Sequence, residues 1–159
     1  MKNPPDLKAL RSTLQELHRY LLASAKKEAE AKLGRSLAPG DWFQQLIGDP
    51  QYAWIKPLTS LMADLDALSE HPKISDRDLS ILRHALEDLF FNENDELLSF
   101  NHHYRQIFAG NHELMVSHGR LKDATHLLPA PQGDVSGESE IRKGWHDLGA
   151  SQAKRGTKH

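Results

Sequence analysis

The chain is predicted to be all-α, a compact antiparallel bundle of about five or six helices with a polar C-terminal tail. Three observations predict this. Leucine recurs at alternating steps of three and four in two places, Leu7, Leu10, Leu14, Leu17, Leu21 and Leu79, Leu82, Leu86, Leu89, which draws one apolar stripe along each of two helices. Capping residues and prolines fall where helices start, and glycines where they stop. No segment alternates apolar and polar residues as a half-buried strand would.

Pro4 and Pro5 precede Asp6, a residue able to cap the first helix, which runs to about Lys32 and stops at Gly34. Its second half exchanges leucine for Ala23, Ala25, Ala29 and Ala31, a slimmer surface that lets a neighbour approach. A short helix from about Pro39 to Ile47 would put Trp42, Phe43, Leu46 and Ile47 on its apolar side. Asp49 caps the next helix with Pro50 in its first turn, and Pro57 must kink or split that helix. It continues through Leu58, Leu61, Met62, Leu65 and Leu68 to about Ser69. Ser75 and Asp78 have capping-box spacing ahead of the second leucine stripe, which ends near Phe91. After a break at Asn92–Asp95 comes a helix with Leu97, Phe100, Tyr104, Ile107 and Phe108 inward. Asn111 caps a last helix carrying Leu114, Met115, His118 and Leu121. The bundle domain is thus placed at 6–128. Residues 129–159, rich in glycine and poor in aliphatics, are expected to be a flexible polar tail with a helical turn or two around Glu138–Leu148.

At 159 residues the chain is long enough for one domain with a substantial core. Net charge is −2, but residues 1–34 carry seven Lys/Arg against four acids, and residues 70–100 carry eight acids against three bases. Two faces of opposite sign packed side by side are the expected outcome. Glu16, Glu28 and Glu30 interrupt the basic helix, so nucleic acid is not an expected partner. There is no cysteine, which excludes disulfides and thiolate chemistry. No signal peptide and no apolar run of spanning length is seen, so the reading is a cytoplasmic protein with no membrane partner.

Gly34-Arg35, Leu37, Pro39-Gly40, Leu46, Asp49-Pro50, Ala53-Trp54 and Pro57-Leu58 resemble a pattern of an uncharacterised family of bacterial all-helical proteins. The similarity is strongest over residues 34–68 and extends over 7–125. It implies a small helical domain and transfers no activity, cofactor or site residue.

Ten histidines raise the question of a metal site of hemerythrin-like or ferritin-like kind. His84 and Glu87 stand three apart, and His118 and Asp123 have the spacing of one hemerythrin ligand pair. The companion motifs are missing, and no cofactor is expected. His103 and Arg105 could serve acid–base chemistry only with a carboxylate brought to them, and His102, one residue earlier, cannot face the same ligand. Ser117 beside His118 makes no nucleophile by sequence adjacency alone. No nucleophile elbow and no phosphate-binding glycine loop occurs. Trp145 with Leu148 is the apolar island of the tail, folding back on the bundle or docking elsewhere. The expectation is therefore a non-enzymatic helical interaction or regulatory protein, with a protein partner or a second copy as its ligand. The alternative is a metal-binding or enzyme domain using His84, Glu87, His118 and Asp123.

Overall fold

A computed structural model describes residues 7–92, 99–131 and 137–156, with side chains of the last stretch described as far as Asp147. Among the described residues every regular element is a helix: α1 (Leu7–Leu33), α2 (Pro39–Gly48), a 3₁₀ turn (Pro50–Ile55), α3 (Lys56–Ser69), α4 (Asp76–Phe90), α5 (Phe100–Phe108), α6 (His112–His126) and α7 (Glu138–Gly156). None of these helices is long and apolar enough to cross a membrane. The expected first cap, Asp6, and the inward Leu97 lie outside the described residues.

The first leucine stripe is the spine of the core. Leu10, Leu14, Leu17 and Leu21 are buried, and Ala25 and Ala29 continue the same line. Such burial contributes roughly 2 kcal/mol per leucine side chain. α1 packs on α6 and on α3, and both neighbours run antiparallel to it. Arg11 near the start of α1 meets Asp66 near the end of α3 at 2.7 Å. Residues just ahead of α3 and at the start of α6 instead line the C-terminal half of α1. The basic first helix therefore sits against α3 and α6, not against the acidic α4 as the charge pattern suggested. α4 turns its polar side toward α7 and its own neighbours, with Asp78 bonded to Trp145 and Glu87 to Arg83.

The punctuation works by local chemistry. Gly34 adopts φ +70°, where a side chain would be strained, and its N–H returns to the Glu30 carbonyl at 2.9 Å. The Glu30 carboxylate then accepts the N–H of Leu37 at 2.6 Å, which fixes the exit of the chain from α1. Asp49 accepts the N–H of Gln51, and Pro57 lies in the first turn of α3, so the proline splits the expected single helix into a 3₁₀ turn and α3. Ser75 and Asp78 form both bonds of the capping box, at 3.0 and 3.1 Å.

Three placements depart from the sequence reading. On α2 the row facing inward is Trp42 with Leu46, four residues apart, so Phe43 and Ile47 stand about 100° round the helix and are exposed. On α6 the buried row is Leu114, Ser117, Leu121 and Thr125, which leaves Met115 outside. Ser117 and Thr125 are small enough for α6 to lie close to α1; Thr125 satisfies its hydroxyl on the Leu121 carbonyl. The third departure is the C-terminal segment. Where a tail with a turn or two was expected, α7 extends over nineteen residues and packs on α3. Ile141 and Trp145 supply its apolar contact one turn apart, and Glu138 with Arg142 makes an ion pair at the same spacing.

Candidate functional site

A long depression among the described residues follows directly from the leucine-to-alanine change in α1. A groove of about 710 Å³ runs along the helix from Tyr20 to Lys32. Ala25 and Ala29 form its floor, and the 3₁₀ turn and α5 raise its opposite wall with Tyr52, Trp54, His103 and Ile107. The wall is rigid. Trp54 stacks on His103 with ring centroids 4.7 Å apart and planes within 10°. Tyr52 meets Trp42 edge to face at 5.2 Å. Burial, then the charges of Asp49 and Glu28, raise the Tyr52 phenol above its ordinary range, so it enters the groove as a neutral hydroxyl. Lys27, Glu28, Lys32 and Glu113 make a rim of mixed sign, with Lys32 and Glu28 paired at 3.4 Å.

A second polar constellation holds α7 in place. Trp145 is 2% exposed, and its indole N–H donates to Asp78 Oδ1 at 3.0 Å. His71 Nε2 donates to the Trp145 carbonyl at 2.7 Å. Arg142 donates from Nε and Nη2 to Asp64 Oδ2 at 2.7 and 2.6 Å. His146 Nε2 donates to Asp64 Oδ1 at 2.6 Å, and His84 Nδ1 to Glu138 Oε2 at 2.7 Å. Trp145 thus folds back on the bundle. Leu148, grouped with it in the sequence reading, lies on α7 with its side chain outside the described residues.

The four candidate metal ligands are spread over separate contacts. His84 is engaged by Glu138, and Glu87 by Arg83 Nε at 2.6 Å. His118 Nδ1 lies 2.7 Å from the Tyr104 hydroxyl, and Asp123 is exposed. Among the described residues no group of three or more His, Cys, Asp or Glu side chains converges as a metal site would need. The Tyr104–His118 bond has a defined direction. Burial pushes the Tyr104 phenol far above its ordinary range, so it stays protonated, and its buried O–H has Nδ1 as its acceptor among the described residues. Burial, and then the Lys122 ammonium, lower the His118 pKa, which favours the neutral ring; with Nδ1 accepting from Tyr104, its hydrogen belongs on Nε2. The His102 and His103 rings meet edge to face, with centroids 5.6 Å apart and planes at 89°; His103 is taken up by Trp54, and Arg105 is exposed.

Sequence reading missed the groove and the acceptors of α7. The alanine run was a visible signal for the first. For the second, the Ile141–Trp145 spacing together with Glu138–Arg142 was available. The chain matches no protein-family model, no curated protein and no solved structure.

Proposed function

We propose that the chain is a non-enzymatic interaction module that receives a helical segment of a protein partner along the C-terminal half of α1. The observation that carries this reading is the pairing of an alanine floor with an aromatic wall. Alanines let a partner's backbone come close, and Tyr52, Trp54 and Ile107 offer surface for its large apolar side chains. The groove runs from Tyr20 to Lys32 of α1, twelve rises of about 1.5 Å or about 18 Å. That length suits three turns of an amphipathic helix, and the mixed rim suits its polar flanks. The imidazoles that suggested chemistry support the same reading, because His84, His118 and His146 link packed side chains and His71 holds the Trp145 backbone carbonyl.

A photo-crosslinking residue at Ser24 and another at Gln106, both lining the groove, test this against a control at the exposed Arg77 of α4. Adducts from the two groove positions should carry one common helical peptide, and the control should give none. That peptide, made synthetically, should bind the purified chain one to one. If the adduct is the chain itself, the partner is a second copy. A peptide captured equally from all three positions, or from none, overturns the proposal.

A further inference from the structure

A second groove, of about 510 Å³, lies between the end of α4 and α6. Its bounding side chains include Arg83, Phe91, His118, Lys122 and His126, with Glu87 as the one carboxylate among the described lining residues. Glu87 is committed to Arg83 Nε, and Arg83 Nη1 donates to the Leu128 carbonyl at 2.8 Å. A guanidinium carries five N–H donors, so Arg83 keeps further hydrogens for a ligand. Tyr104 occupies Nδ1 of His118, which leaves Nε2–H as a donor with no protein acceptor among the described residues. Lys122 and His126 likewise make no hydrogen bond or ion pair among the described residues. The Lys122 ammonium lies close enough to His118 to depress its basicity, and both side chains line this groove.

We propose that this groove is a binding site for a phosphate group, held by Arg83, Lys122, His126 and the Nε2–H of His118. The donors come from two helices, α4 and α6, and line one groove; charge-assisted bonds from such groups are those that select phosphate oxygens. Phe91, edge-on to the His118 ring at 5.0 Å, gives the site one apolar wall. The phosphate is either free or the head of an ester whose organic part rests on that wall.

Titrating inorganic phosphate and, separately, phenyl phosphate into the full chain at constant ionic strength tests this by imidazole NMR. The resonances of His118 and His126 should shift saturably, and those of His71 and His146 should stay. Lys122→Gln, an exposed substitution that leaves the core intact, should weaken binding about tenfold or more, the loss of one charge-assisted contact. Tighter binding of phenyl phosphate identifies an ester as the ligand, and equal binding identifies the free ion; either result supports the site. Shifts that grow linearly without saturation, or that survive Lys122→Gln unchanged, overturn it. Glu93, Asp95 and Glu96 follow Asn92 in the sequence. Saturable binding seen only in E93Q/D95N/E96Q would also overturn it, because the native chain would then not present the site.

Discussion

The attachment of α7 can be dissected at Trp145. The indole is 2% exposed and donates to Asp78, so two substitutions separate its two contributions. Trp145→Phe keeps most of the apolar area and removes the N–H, a loss of about 1 kcal/mol for one hydrogen bond. Trp145→Ala removes both and costs about 3 kcal/mol, the low end for a buried aromatic, because the helix can shift to fill the gap. The loss is local. α7 packs on α3 and contributes none of the leucines that form the spine of α1. Amide hydrogen exchange resolved by helix is therefore the assay. Protection of the α7 amides should fall about fivefold in Trp145→Phe and by roughly two orders of magnitude in Trp145→Ala, following RT per factor of e. In both variants the amides of α1 and α6 should keep their protection. A uniform loss over all helices would refute the reasoning, since it would make α7 part of the cooperative core. Unchanged α7 protection would refute it equally, since the indole would then hold nothing.

Leu17→Ala, at a side chain with no exposure, should cost about 2–5 kcal/mol in chemical denaturation, with the denaturant slope unchanged. Ser117→Ala should leave stability equal or raise it by up to about 1 kcal/mol. The Ser117 hydroxyl is buried without a hydrogen-bond partner among the described residues, and equilibrium unfolding reads the change. His18 and His118 are both depressed, chiefly by burial, so the unfolded chain binds protons that the folded chain resists. Their contribution is complete above the ordinary histidine value of 6.5 and is lost as pH falls through the folded values. Stability measured from pH 8 downward should therefore decline below about 6.5, and His18→Gln with His118→Gln should flatten that decline. Ultraviolet titration should show one phenol that does not ionise with the others, and Tyr104→Phe should remove it.

What could be read in the sequence was whatever one helix decides for itself. The α1 stripe, the Asp49–Pro50 start, the break at Pro57 and the Ser75–Asp78 box depend on residues within a turn or two of each other, and all four stand as read. Phe43, Ile47 and Met115 were misplaced because an apolar residue beside a buried row looks the same as one within it until the neighbour's position is known. α7 was under-read because its apolar content is small. Its hold comes from carboxylates on α3 and α4, and Arg142 reaches Asp64 across 78 positions of sequence. The histidines follow the same rule. Nothing near His84 announces Glu138, and nothing in the order of residues announces that Tyr104 fixes the tautomer of His118. The groove was half legible. Alanines in α1 predicted room for a close neighbour, whereas the aromatic wall was supplied by chain 20 to 90 residues away.

Asp78 divides its two oxygens between the backbone N–H of Ser75 and the indole of Trp145. One carboxylate thereby ties the first turn of a central helix to the seating of the terminal one. When the terminal helix lifts, Oδ1 turns to water while Oδ2 keeps its bond to Ser75, so any coupling between the two ends runs through the orientation of this one carboxylate and is reciprocal.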